Sequence, residues 1–162
     1  MMSEPSVTAS SAESHESGRI VTSERSQWLE RAVILYVRLA LGTAFLSAVA
    51  DRFGIWGKYG GWGNFTNFIK YTAQVNSFMP ASIVPFLAWA ATVAETFLGI
   101  ALIVGVWPRW VALGSALLLA TFGIAMAVSF GVKSPMDYSV FSASAGALLL
   151  ASYENRRPEA TS

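Results

Sequence analysis

Two charged residues, Arg38 and Glu95, lie inside long apolar stretches of the sequence. An ionised side chain at bilayer depth costs about 2.5–3.5 kcal/mol by insertion scales. Because each charge alone would weaken its segment, we predict that Arg38 and Glu95 neutralise each other as a buried pair. Such a pair fixes helix register, lines a polar pocket for a head group such as a quinone carbonyl, or relays protons. Alternatively, Arg38 alone snorkels to the membrane surface.

Aromatic residues in the loop after the first apolar stretch form a second candidate site. Trp56, Trp62 and Tyr71 would suit contact with a lipid head group or with a quinone ring, which partitions into lipid. Aromatic rings at such positions also serve as plain interfacial anchors, and both interpretations stay open. Asp51 and Arg52, which close the first apolar stretch, are interpreted as ordinary boundary charges.

The residue types that are missing exclude several kinds of site. The chain has no cysteine, which excludes disulfides, thiol chemistry, iron–sulfur clusters and thiolate zinc sites. His15 is the only histidine and lies in the polar N-terminal part, so we expect no bis-His haem and no metal site. A net charge of +1 without a Lys/Arg cluster gives no indication of nucleic acid binding. Any cofactor is therefore expected to be non-covalent, with quinone as the candidate.

The lengths of the apolar stretches predict an all-α membrane protein with a bundle of four transmembrane helices. Charged residues make up only 13% of the chain, about half the share of a soluble domain. A span needs roughly 20 mostly apolar residues to cross the hydrocarbon core. Pro135 and Asp137 are interpreted as part of the cap that opens the last span, whose many small residues predict packing against a neighbouring helix. The predicted spans are residues 32–50, 83–106, 110–130 and 136–153.

The remaining segments are predicted from composition and periodicity. Residues 1–27 are rich in Ser and Glu, which predicts a disordered tail, and residues 154–162 form a short polar tail. The domain between them is 28–153. In the long first loop, residues 64–79 place apolar side chains largely on one face, which predicts an amphipathic helix that lies at the interface or caps the bundle.

The distribution of basic residues predicts the orientation. With four spans, both termini and the Pro108-Arg109 turn lie on one side of the membrane, and this side carries more positive charge. The positive-inside rule therefore favours cytoplasmic termini in a multi-pass inner-membrane protein. That side carries, among others, Arg25, Arg31, Arg109, Arg156 and Arg157, against Arg52, Lys58, Lys70 and Lys133 on the other.

Several short motifs resemble the DoxX family of small membrane proteins. The first apolar stretch carries Arg38-Leu39-Ala40-Leu41-Gly42 and Phe45-Leu46, and the second carries Ala94-Glu95-Thr96-Phe97-Leu98-Gly99 followed by Gly105-Val106-Trp107-Pro108-Arg109. Residues 62–80 and 135–150 are also similar. The resemblance covers residues 31–153, and its motifs are degenerate.

The resemblance implies a four-helix inner-membrane protein with a redox association. Members resemble the small membrane subunit of thiosulfate:quinone oxidoreductase, and Arg38 and Glu95 match the family's intramembrane charges. Relatives that use cysteines for thiol redox work are not matched here. We therefore expect a subunit or accessory of a quinone-linked membrane oxidoreductase, without catalytic activity of its own, whose partners are the bilayer and oxidoreductase subunits. The alternatives are a non-enzymatic scaffold, or a small transporter or proton conductor that would need an oligomer.

Overall fold

The computed structural model describes the backbone of residues 7–156 and the side chains of residues 27–155. The chain falls into two units that divide after Tyr36, and every contact given below lies in the second, which begins at Val37. No strand occurs among the described residues. The helices are α1 (Val7–Arg52), α2 (Phe65–Val75), α3 (Val84–Val104), α4 (Pro108–Phe130), α5 (Lys133–Asp137) and α6 (Val140–Arg156), with short 3₁₀ turns at Gly57–Tyr59 and Ala81–Ile83.

Three of the described helical segments are long and apolar enough to cross a membrane: Gln27–Arg52, Ala81–Val104 and Pro108–Phe130. They correspond to the first three predicted spans. The fourth predicted span corresponds to α6, a helix of 17 residues that does not reach the same length. A helix of that size is about 25 Å long, which is at the short end of what crosses a bilayer. Four crossings therefore remain a prediction, while the helical membrane architecture is confirmed.

Helices α1 and α3 approach each other closely at two glycines. A Cβ on Gly42 would lie 2.9 Å from the carbonyl oxygen of Gly99, and a Cβ on Gly99 would lie 3.1 Å from that of Gly42. Small residues allow this approach, which replaces side-chain packing by direct backbone contact. The approach sets the register of α1 along α3, and this register determines which charges meet.

Arg38 contacts the C-terminal end of α3. Gly105 follows the helix with φ +85°, a left-handed conformation that favours glycine, and its N–H donates to the carbonyl of Ala101 at 2.8 Å. Arg38 Nε donates to the carbonyl of Leu102 at 2.9 Å. A cation at this end also complements the partial negative charge of the helix dipole. Arg38 thus stabilises a helix end.

Helix α2 starts and stops at asparagines. The side chain of Asn64 accepts a hydrogen bond from the N–H of Asn67 at 2.9 Å, and Asn76 leaves the helical conformation. Phe68, Thr72 and Val75 form its buried face. The predicted amphipathic helix over residues 64–79 is therefore present in a shorter form. Its position at a membrane interface stays a prediction.

Helix α6 packs on α4 through small residues, as its composition predicted. Ser144 Oγ donates to the carbonyl of Ala116 at 2.9 Å, and Ala147 is completely buried. A Cβ on Gly123 would lie 2.6 Å from the ring of Phe141. The interface therefore depends on the absence of large side chains at Gly123, Ser144 and Ala147.

The start of the fourth predicted span and its predicted cap both differ from the structure. The helix of the fourth predicted span is α6, which starts at Val140 and not at residue 136. Ser139, with φ +55°, separates it from α5. Asp137 does not cap it; its carboxylate pairs with Lys133 at 2.6 Å, four residues earlier.

In the N-terminal part, α1 begins at Val7, whereas residues 1–27 were predicted to be a disordered tail. No proline follows Pro5 before the first span, so nothing there prevents the helix from propagating outward from the apolar segment. Residues 1–6 and 157–162 lie outside the described residues, as do the side chains before Gln27. The predicted polar C-terminal tail falls mostly on these residues.

Candidate functional site

A buried ion pair joins the end of α1 to the middle of α3. Arg52 Nη2 donates to Glu95 Oε1 at 2.6 Å, and the two side chains are 3% and 2% exposed. Glu95 lies eleven residues beyond the start of α3 at Val84, and Arg52 is the last residue of α1. Two charges at this depth are stable only when they neutralise each other and when their remaining polar atoms are hydrogen-bonded.

Other contacts hold the guanidinium of Arg52 in place. Nη1 donates to the hydroxyl of Thr92 at 2.9 Å, one turn before Glu95 on α3. The guanidinium carbon lies 3.9 Å from the centroid of the Phe68 ring and 5.7 Å from that of Trp62. A cation over an aromatic face is attracted by the ring quadrupole, more strongly when water is excluded. Helices α1, α2 and α3 and the long loop all contribute to this environment.

Asp51 ties the long loop to the end of α1. Its Oδ2 accepts hydrogen bonds from the N–H groups of Gly61 at 2.9 Å and Trp62 at 3.2 Å. A Cβ on Gly60 would overlap Asp51 Oδ1, so a larger residue there would displace the carboxylate from its present position against the loop. Asp51 therefore positions Trp62, and through it one of the rings beside Arg52.

Two buried polar atoms in this region have no hydrogen-bond partner among the described residues: Asp51 Oδ1 and Arg52 Nε. One is an acceptor and the other is a donor. Buried polar atoms are paired in most proteins, and each exception reflects strain, a catalytic role, or contact with a bound water, ion or ligand.

Aromatic side chains form a continuous cluster that reaches the guanidinium of Arg52 through Phe68 and Trp62. Trp62 contacts Phe68 with ring centroids 5.1 Å apart and Tyr71 at 5.6 Å. Burial raises the pKa of the Tyr71 phenol above its ordinary value, and the nearby Tyr138 adds to the effect. Tyr71 therefore stays neutral and able to donate a hydrogen bond at physiological pH. We call this group the aromatic cluster; it consists of Phe53, Trp62, Phe65, Phe68, Tyr71, Trp89 and Phe130.

The structure does not bring the predicted pair together. Glu95 is buried in an ion pair as predicted, but its partner is Arg52, and Arg38 lies beside Leu102, seven residues further along α3. Seven residues of helix correspond to about 10 Å, which exceeds the reach of an ion pair. The prediction of an Arg38–Glu95 pair is therefore corrected, and so is the interpretation of Arg52 as a boundary charge.

The three predicted aromatic contacts separate into two groups. Trp62 and Tyr71 are neighbours in the aromatic cluster. Trp56 lies apart: its Nε1 donates to the carbonyl of Ser47 at 3.1 Å, and its side chain is 48% exposed.

Sequence reasoning missed Arg52, Thr92, Phe68 and the positioning role of Asp51. The spacing of the two arginines was a usable signal for the partner of Glu95. Arg52 is fourteen residues from Arg38, which is about 21 Å along the same helix. An antiparallel partner can place only one of them beside Glu95. In the part of the chain with described side chains, no group of three or more His, Asp or Glu residues is arranged to hold a metal ion.

Together these features define a helical membrane protein with a buried cation held between a carboxylate and aromatic rings. The chain belongs to the family described as methylamine utilisation protein MauE, whose family model matches residues 30–137. The match covers the Arg52–Glu95 pair and the whole aromatic cluster, and it ends before α6. The predicted membrane-protein character is thereby confirmed, although the family shown is MauE and not DoxX. No curated protein and no solved structure matches the chain.

Proposed function

We propose that this chain is an accessory protein of a methylamine-utilisation system in the inner membrane, where it supports a membrane-associated oxidoreductase. The observation that carries the proposal is the family match, because residues 30–137 include every residue of the buried site. Oxidative release of ammonia from methylamine yields electrons that an acceptor must take up. A small membrane protein is a suitable partner for such a system.

The residues of the buried site favour a supporting role in an oxidoreductase system over a catalytic role. The guanidinium of Arg52 already contacts Glu95, Thr92 and Phe68, and such a closed arrangement holds helices in register. The sequence contains no cysteine and one histidine, so the usual protein ligands of electron carriers are missing. We infer that electrons pass through a partner or a bound quinone, not through groups of this chain.

Growth of a deletion strain tests this function. We expect a strain lacking the gene to lose growth on methylamine as the sole nitrogen source while growing normally on ammonium. The wild-type gene restores growth, and a tagged copy co-purifies a redox protein from methylamine-grown membranes. Undiminished growth of the deletion strain on methylamine would overturn the proposal.

A quinone head group is the second candidate, as a ligand of the aromatic cluster. Arg52 Nε is a buried donor without a partner among the described residues, and a quinone carbonyl is an acceptor. Trp62, which lies over Arg52, and the adjacent Tyr71 present ring faces suited to stacking.

Quinone content of the purified protein tests this candidate. We expect about one quinone per chain after mild detergent extraction, and a loss of most of it in Trp62→Leu. Trp56→Leu is the matched control, because Trp56 is outside the aromatic cluster. Equal quinone content in both variants, or none in the wild type, would exclude the cluster as a quinone site.

A further inference from the structure

A small groove lies between α4 and α6. Its volume is about 150 Å³ and it opens to the outside of the molecule. We call it the α4–α6 groove. The residues that line it are Arg109, Leu113, Leu148, Ala151, Ser152 and Asn155.

The polar and apolar residues of this groove are segregated along the helix axes. Arg109 is the second residue of α4, and Asn155 is the second-last residue of the antiparallel α6, so both lie at the same end of the bundle. Leu113 lies one turn deeper than Arg109 on α4, and Leu148 lies about two turns deeper than Asn155 on α6. The groove is therefore polar at its mouth and apolar below.

The mouth of the groove carries one positive charge. Arg109 is the one charged residue among the six that line it, and no described residue forms an ion pair with it. Its guanidinium carbon lies 5.3 Å from the ring of Trp110, which is 68% exposed. Tryptophan at the end of a membrane-spanning helix lies at head-group level, so it holds the cation where lipid phosphates lie.

We propose that the α4–α6 groove binds an acidic phospholipid, with the phosphate at Arg109 and the glycerol and upper acyl chain between Leu113 and Leu148. Arginine donates two parallel hydrogen bonds to a phosphate, and Asn155 adds an amide donor at the mouth. Basic pockets between transmembrane helices recognise acidic lipid head groups by this chemistry. The apolar lower part distinguishes a lipid from free phosphate, because inorganic phosphate has no group to place there.

Native mass spectrometry of the detergent-purified protein tests the proposal. The protein is mixed with phosphatidylglycerol or phosphatidylethanolamine of equal chain length. We expect the acidic lipid to be retained preferentially, and Arg109→Gln to lower its retention about fivefold, which is the effect of one cation at a membrane surface. Lys58→Gln is the matched control, because Lys58 is an exposed cation in the long loop, outside the groove.

A second variant tests the cavity separately from the charge. Ser152→Phe fills the groove while Arg109 stays in place; both positions are exposed, so the fold is retained and is checked by circular dichroism. We expect this variant also to lose the acidic lipid. Unchanged retention in either variant, equal retention of both lipids, or displacement of the lipid by millimolar inorganic phosphate would overturn the proposal.

Discussion

At the scale of single residues, Arg52 determines how the buried charges are arranged. Taking a guanidinium out of water costs several kcal/mol, which is offset only if the charge is paired and its hydrogen bonds are made. Glu95 supplies the charge and Thr92 supplies an acceptor, while the Phe68 ring covers the guanidinium. Removing one partner leaves the other buried and uncompensated, whereas removing both leaves an apolar contact.

This asymmetry gives a test at residue scale. We expect Glu95→Gln to lower the free energy of unfolding by about 3 kcal/mol, because it leaves the Arg52 charge buried without its counter-charge. Combining Arg52→Met with Glu95→Met should recover most of the loss, since two methionines fill the site without charge. The measurement is thermal unfolding in detergent, followed by circular dichroism.

The double variant Arg38→Met with Glu95→Met is the control. It should stay as unstable as Glu95→Gln or become less stable, because Arg52 is still unpaired and the Leu102 carbonyl loses its donor. If this variant regained stability while the Arg52 and Glu95 combination did not, the pair would be the one predicted from sequence.

At the scale of helices, apolar length and turn residues were sufficient to find the elements but not their register. The sequence predicted spans at residues 83–106 and 110–130, and α3 and α4 match these closely, because Gly105 and Pro108 mark the turn. The burial of Glu95 was predicted from its apolar surroundings. Its partner was not, because register depends on the Gly42–Gly99 approach, a tertiary contact that leaves no periodic signal.

A glycine-to-alanine substitution is expected to have opposite effects on stability in α1 and in α6. We expect Gly42→Ala to lower stability by about 1–3 kcal/mol, because the new methyl group would lie 2.9 Å from the Gly99 carbonyl oxygen and 2.7 Å from Ile103. In α6, a Cβ on Gly146 meets nothing within 4 Å. Gly146→Ala should therefore raise stability by up to about 1 kcal/mol through helix propensity.

Thermal unfolding of both variants in the same detergent measures the difference. A neutral Gly42→Ala variant would show that α1 and α3 do not touch at this point, and the register that places Arg52 beside Glu95 would lose its support.

At the scale of the whole molecule, the buried pair strengthens the prediction that the termini are cytoplasmic. Arg52 is enclosed by protein and does not count as a loop charge, so the side opposite the termini carries only Lys58, Lys70 and Lys133. Six arginines lie on the side of the termini in a four-span arrangement: Arg19, Arg25, Arg31, Arg109, Arg156 and Arg157. The positive-inside rule then favours cytoplasmic termini by a wider margin than the sequence alone gave.

Single cysteines test both the orientation and the fourth crossing, because the native chain has none. In intact cells, a membrane-impermeant maleimide should label Lys58→Cys directly, but Arg109→Cys and Ser162→Cys only after the membrane is permeabilised. If α6 stays on the side of Lys58, Ser162→Cys will instead be labelled together with Lys58→Cys. Labelling of Arg109→Cys alone in intact cells would show both that the orientation is reversed and that α6 does not cross. Each pattern therefore identifies one arrangement of the termini and of α6.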